Sequence, residues 1–385
     1  MQRPGNIDPL GAVLTGVAAA SLLFLPFVVF KTNRIVPGDP RGIADVLSTS
    51  VALACYGSLI AVGAVSLFVS DARTRLAAAL FGIVEIALAV AAAGNVLTPV
   101  GNKVVRVSPG AGFWILLVSV GLVATDAITR MRPGPALRVL FLVLFIAITV
   151  LTLAHGTFDN LSVMREFAVN AGRFAHEARQ HVLLALGSLA AAVVVALPIG
   201  ILCHRVPRLR AGILGTLNLV QTIPAIALFG ILMAPLAALA AAVPLAASLG
   251  IRGIGAAPAA VALFLYSLLP IVANTVAGLA RVSRGAVDAA RGMGMTDRQV
   301  LTSVELPLAL PVILTGIRIV LVQNIGLVTI AALIGGGGLG TFVFQGIGQT
   351  AIDLVLLGAI PTVVLAFSAA VVLDAVVEVM DRTRP

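Results

Sequence analysis

Three groups of residues in this chain invite a chemical reading, and spacing limits each of them. His155, His176 and His181 fall in one polar stretch and suggest a metal site. On a helix, positions five apart point about 140° away from each other, and no cysteine or paired carboxylate completes a ligand set. They are therefore expected to be exposed loop histidines, with no metal bound. Gly335 to Gly340 spells G-x-G-x-x-G, the pattern of a dinucleotide turn, but it follows an apolar run, with no βαβ pattern around it and no acidic residue about 20 positions on. These glycines are expected to let the backbone turn or approach closely near the outer end of a span. No G-x-x-x-x-G-K-[ST] occurs, so the chain cannot itself supply a standard phosphate-cradling loop. No catalytic cluster is evident, and neither an enzyme nor a cofactor is expected.

Two charges, Glu85 and Arg318, interrupt otherwise apolar runs and are functional candidates because isolated charges are costly inside a membrane. Aromatic faces would hold a cationic ammonium ligand. Aromatic residues are only 5% of the chain, and Phe229, Phe264 and Tyr266 are the candidates in its second half. Core packing is the competing role for each. Tyr266 stands out because its hydroxyl needs a partner in a dry setting.

The elements that position these residues must be membrane spans. Of 385 residues 60% are hydrophobic and 11% charged, far from the roughly 25% charged of a soluble domain. The formal charge of +9 fits cytoplasmic loops and anionic head groups, so no nucleic-acid partner is inferred. Runs of about 20 apolar residues give ten spans: Leu10–Phe30, Val46–Val69, Leu76–Ala93, Ala111–Ile128, Leu137–Leu153, Val182–Cys203, Gly212–Pro235, Pro258–Leu279, Pro311–Ile330 and Leu354–Val377. The first is read as a retained span rather than a signal peptide, since it lacks a basic start and a small-residue cleavage site. Cys55 and Cys203 lie in apolar runs and read as buried free thiols.

The expected fold is all-α, a polytopic membrane bundle of about ten helices. Its expected divisions are an N-terminal region of five spans (1–154), a polar periplasmic connector (155–181) and a C-terminal region (182–385). In the connector Met164, Phe167, Ala171, Phe174 and Ala178 recur at helical steps, suggesting an amphipathic surface helix. Leu236–Gly250 reads as a short re-entrant or surface helix. With both termini in the cytoplasm, 15 of 25 basic residues fall inside and nine outside. After Cys203 the bias is nine against Arg252 alone, whereas Lys31–Arg41 runs against it.

The most ordered polar segment is the cytoplasmic loop Arg281–Pro311. Arg284–Met293 predicts a helix ended by Gly294, Thr296 and Gln299 form a capping box, and a second helix runs to Pro307. Such a knob presents Ala289, Ala290 and Met293 to a partner groove.

This loop resembles the E-A-A, three residues, Gly, nine residues, I-x-L-P signature of the permease subunits of bacterial ABC importers. Asp288, Ala289, Ala290, Gly294, Val304, Leu306 and Pro307 fall on it in register, with Asp288 in place of Glu and Val304 in place of Ile. The resemblance implies a type I importer permease core and makes these residues the coupling site for a separate ATPase. Q-T-I-P-A-I-A-L-F-G (221–230), L-F-L-Y-S-L-L-P-I-V-A-N-T (263–275) and L-I-G-G-G-G-L-G (333–340) are similar to the glycine betaine, choline and osmoprotectant importers, in a long form with extra N-terminal spans. Gln221, Pro224, Tyr266 and Asn274 in these segments are the candidates for the substrate path. The implied partners are ABC ATPase subunits, a periplasmic or lipid-anchored substrate-binding protein, a second permease, identical or paralogous, and membrane lipid. The implied location is the bacterial inner membrane. A permease for another small solute such as an amino acid, an ion-coupled secondary transporter, and a membrane enzyme are the alternatives. The ion-coupled carrier would predict paired intramembrane acids or an internal repeat.

Overall fold

The computed structural model describes residues 8–34, 36–102 and 104–382. The chain up to Leu137, with Val143–Val169, forms one compact unit, and Arg138–Leu142 with Asn170 onward forms a second. Among the described residues nine helices are long and apolar enough to cross a membrane, and a tenth apolar helix is shorter.

That shorter helix opens the first unit. The apolar run Leu10–Phe30 is not one span: α1 (Pro9–Phe24) ends just before Pro26, and the chain continues as β1 (Val28–Lys31). A residue preceding proline is pushed toward extended backbone, and β-branched Val28 and Val29 suit a strand. β1 pairs antiparallel with β2 (Asp39–Arg41) and β3 (Arg106–Pro109), in the order β2-β1-β3. This small sheet is not expected from the sequence. The short α2 (Ile43–Val46), then α3 (Thr49–Phe68), α4 (Ala72–Leu97) and α5 (Ala111–Met131) complete the core, with Val28, Ile86, Val107 and Leu116 buried in it.

A four-charge cluster ties α1, α4 and α5 together. Asp8 caps α1, accepting from the Gly11 N–H at 3.0 Å, from Arg75 Nη2 at 2.8 Å and from Arg130 Nη2 at 2.8 Å. Asp126 accepts from Arg75 Nη2 at 3.1 Å and from Arg130 Nε at 2.8 Å. Burial alone would raise the Asp8 carboxyl, but the hydrogen bonds from Arg130 and Arg75 outweigh it and lower it from 3.8 to about 2. A depressed carboxylate stabilises fully above its unfolded value, and that contribution is lost as pH falls from about 4 toward 2. About 2 kcal/mol of stability is therefore expected to disappear over that window. Arg75→Met, which takes one of two guanidinium partners from each acid and leaves both on Arg130, is expected to cost about 2–3 kcal/mol at neutral pH. Unfolding midpoints of the detergent-solubilised chain at pH 7 and pH 3 check both; an Arg75→Met midpoint equal to wild type at pH 7 would refute the cluster's role.

α6 (Pro135–Ala154) and α7 (Ser162–Arg205) each run through a boundary between the units. From Ser162 onward the polar connector is not a separate surface helix but the opening part of the 44-residue α7, because nothing between Ser162 and Val182 breaks a helix. In the second unit the run Gly212–Pro235 is split. α8 (Pro207–Thr222) ends at Ile223 and α9 (Ala225–Ala242) restarts beyond Pro224, which has no N–H to give and forces Ile223 into extended backbone. The expected short element follows as α10 (Pro244–Ser248). α11 (Ala256–Ala280) leads into α12 (Arg284–Gly292) and α13 (Asp297–Val300). The chain passes through a π turn, Leu301–Glu305, into α14 (Leu306–Ala331), then through a glycine loop into α15 (Gly340–Gly348) and α16 (Ile352–Arg382). α11 and α14 form the heart of this unit, with Leu263, Ile271, Val272, Ile313 and Val320 buried.

Candidate functional site

The loop between α11 and α14 is built by local chemistry. Ser283 caps α12, its hydroxyl accepting from the Ala286 N–H at 3.3 Å. The helix closes in a Schellman turn: Met295 N–H donates to Ala290 O at 3.2 Å, Gly294 N–H donates to Arg291 O at 2.9 Å, and Gly294 takes φ +86°. Thr296 and Gln299 form the expected capping box on α13. Arg291 and Asp297 lie 3.2 Å apart across the turn. Pro307 does not end the second helix. Its missing N–H is absorbed where the π turn passes into α14, so the backbone stays helical from Asp297 to Ile334.

Exposure separates the signature residues. Asp288, Ala289, Met293, Gly294 and Pro307 are exposed, and Val304 and Leu306 half-buried. Ala290, expected on the docking face, is 1% exposed and turned into the loop's own interior. Its small size keeps α12 close to the rest of the loop. Beneath the loop Arg205, ending α7, donates to the buried Glu305 of the π turn.

Three of the four path candidates meet. Tyr266 on α11 donates its hydroxyl to Ile223 O, the carbonyl freed where α8 breaks before Pro224, and Gln221 Nε2 donates to Tyr266 O at 2.8 Å. Their geometry makes them a clamp on the α8–α9 corner. Asn274 is not part of it: its Nδ2 turns back to Pro270 O at 2.8 Å, and its side chain packs against Gly316. Phe229 and Tyr266 are buried in one apolar cluster, and Phe264 packs on another. These rings form no open aromatic cage.

Several polar groups escaped the sequence reading. Asn324 on α14 is fully buried, with Nδ2 donating to Ser188 Oγ at 3.1 Å and to Ser267 Oγ at 3.0 Å. This joins α7, α11 and α14 in the middle of apolar spans. Arg318 pairs with Asp374 on α16, so it is not an isolated charge. Glu85 accepts from Ser58 on α3. His155 and His176 are exposed as expected, although His176 lies on α7 and not in a loop, and His181 is a correction. It is fully buried on α7, Nδ1 accepting from the Leu339 N–H at 3.2 Å and Nε2 facing Ile325 O at 2.9 Å. The amide can only donate, which assigns the ring proton to Nε2. Its environment is set by the glycine loop, distant in sequence. Cys203 is buried and Cys55 half-buried, both unpaired. No group of His, Cys, Asp and Glu fit to hold a metal occurs among the described residues.

Long apolar helices around proline-broken spans, with an ordered polar loop between the two central helices, define a polytopic membrane protein. The chain belongs to the family of binding-protein-dependent transport system inner membrane components, matched over residues 196–384. It is a multi-pass permease of the bacterial inner membrane. Residues 8–164 match the N-terminal domain of the ABC transporter permease YehY. The osmoprotectant import permease protein OsmW of Salmonella typhimurium is 43% identical over 51% of this chain and 86% of its own length. The choline transport system permease protein OpuBB of Bacillus subtilis is 35% identical over 57% of this chain and 92% of its own length. Among solved structures, an inward-facing form of the MetNI methionine ABC transporter aligns with TM-score 0.45 and 22% identity, covering 55% of this chain and 96% of that one. The ion-coupled carrier reading gains no support.

Proposed function

We propose that this permease imports glycine betaine, choline or a related quaternary-amine osmoprotectant, and that it draws its energy from a separate ATP-hydrolysing subunit docked on α12, Gly294 and α13. The observation that carries the substrate class is the likeness to osmoprotectant and choline permeases over most of their length. What supports the docking site is the loop itself. Asp288 and Ala289 on a short helix, and Met293 at its C-cap, stand exposed where internal hydrogen bonds close the helix ends, a rigid surface that needs no ordering on contact. The loop and the far end of α16, two spans further on, then face the cytoplasm, as the basic residues of the loop suggest.

In this reading a loaded binding protein and ATP favour one of two arrangements of the spans, and hydrolysis returns the other. Tyr266, Gln221 and Pro224 act by fixing the α8–α9 corner beside the path. With Phe229 and Tyr266 packed inside, tight capture of the ammonium group falls to the binding protein and the permease holds the solute only in transit. The test is uptake into proteoliposomes holding the permease, its co-purifying ATPase and its binding protein. Labelled glycine betaine, choline, carnitine and methionine are offered with and without ATP. ATP-dependent accumulation of a quaternary amine but not of methionine is expected. Preference for methionine, or accumulation driven by an ion gradient without ATP, would overturn the reading.

A further inference from the structure

α14 carries the coupling loop at one end and the glycine loop at the other, about 39 Å apart along 26 helical residues. Gly335, Gly337 and Gly338 take φ of +76°, +74° and +87°, backbone that other residues rarely adopt. The loop lies over the end of α14 and the start of α11, where Gly255 N–H donates to Ile334 O at 2.9 Å. Gly336 rests on Ala259 and Ala331, both fully buried beneath it.

What holds this loop comes from α7. Arg173, Glu177 and His181, spaced four apart, form one stripe along it. Glu177 Oε2 accepts from the Gly338 N–H at 2.7 Å and from Thr341 Oγ1 at 3.2 Å, and His181 Nδ1 accepts from the Leu339 N–H. Arg173 donates to Gln345 Oε1 at 2.8 Å and lies over the Phe342 ring at 5.4 Å. The fit is close: a Cβ on Gly337 would lie 3.2 Å from Glu177 Oε2, and one on Gly338 would lie 3.2 Å from His181 Nδ1. Packed side chains would make a permanent plug. Here the loop backbone is fastened by hydrogen bonds to Glu177 and His181, with a longer one from Gln180 Nε2 to Gly336 O at 3.5 Å, and water can replace these bonds when the loop lifts.

We propose that Glu177 and His181 are positioning residues that latch the glycine loop as the outer closure of the solute path, and that releasing them opens the path on the side away from the ATPase. The assignment of sides rests on the coupling-loop reading above. Ala259→Cys, in a chain with Cys55→Ala and Cys203→Ala, places a thiol beneath the loop. The assembled complex in sealed, right-side-out vesicles is treated with a membrane-impermeant maleimide. Shielding is expected in the wild-type latch. Glu177→Ala or His181→Phe is expected to raise the labelling rate tenfold or more, the change that about 1.4 kcal/mol makes in an opening equilibrium. Glu177→Gln, whose side-chain carbonyl still accepts from Gly338, is expected to restore shielding. Should the stronger variants fail to assemble with the ATPase, Thr341→Ala, which removes one of the two bonds to Glu177, is expected to give a smaller rise. A thiol that stays shielded in assembled variants, or labelling that rises equally with Glu177→Gln, overturns the latch. Gly294→Val in the same background keeps the two readings apart. If that variant retains uptake, the coupling reading falls while the labelling result still decides the latch.

Discussion

Ala289→Glu is expected to lower uptake by about a hundredfold while the chain inserts, folds and melts as before. Ala289 is exposed on α12, so a larger charged side chain there meets water in the isolated permease and disturbs only a surface that must close against another protein. A misplaced charge at the centre of a desolvated contact costs several kcal/mol, and about 2.7 kcal/mol is a hundredfold. The neighbouring Ala290→Glu is expected to abolish uptake by a different route. At 1% exposure it forces a carboxylate into the loop's interior, and the loop itself comes apart. Gly294→Val lies between: φ of +86° strains a β-branched residue and opens the Schellman turn, so α12 loses its fixed angle to α13. Co-purification of the ATPase, uptake and proteolysis of the loop separate the three. Ala289→Glu must lose the ATPase with an intact loop, Ala290→Glu must lose both, and unimpaired uptake in Ala289→Glu would sink the docking face.

That contrast marks what the sequence could convey. Thr296, Gln299 and Gly294 act on backbone a few residues away, so the shape of the loop was legible from spacing alone. Which alanine faces outward was not, because α12 is short and both its faces carry small residues. The α8–α9 break and the end of α1 are set by Pro224 and Pro26, each of which lies inside an uncharged run long enough to pass for a single span. Asn324, Ser188 and Ser267 lie in three separate apolar runs, each an unremarkable polar residue until the fold joins them. The same holds for His181 and the glycine loop, 158 positions apart at their hydrogen bond. Asp126 and Arg130, four apart on α5, were within reach of helical spacing, whereas their link to Asp8 and Arg75 is tertiary.

The pair beneath the loop decides how docking would reach the spans. Arg205 ends α7 and Glu305 closes the π turn into α14, so one ion pair joins the loop's exit to the helix that carries the latch residues Glu177 and His181. The two partners are unequally buried: the Arg205 side chain is 33% exposed and that of Glu305 6%. Removing the arginine therefore strands an acidic group away from water, whereas removing the acid leaves a guanidinium that solvent can still reach. Arg205→Ala is expected to cost about 3 kcal/mol or more, and Glu305→Ala markedly less. Both are expected to slow uptake, because a loop no longer fastened to α7 can bind its partner without moving that helix. The exchanged variant, Arg205→Glu with Glu305→Arg, is expected to recover part of the uptake despite its buried arginine. Thermal midpoints and uptake rates of the three, measured with the ATPase bound, check this. Equal losses from the two alanine variants would refute the burial argument. Full uptake in a variant that has lost stability would show that the pair only braces the fold, and transmission would then have to run through α14 alone.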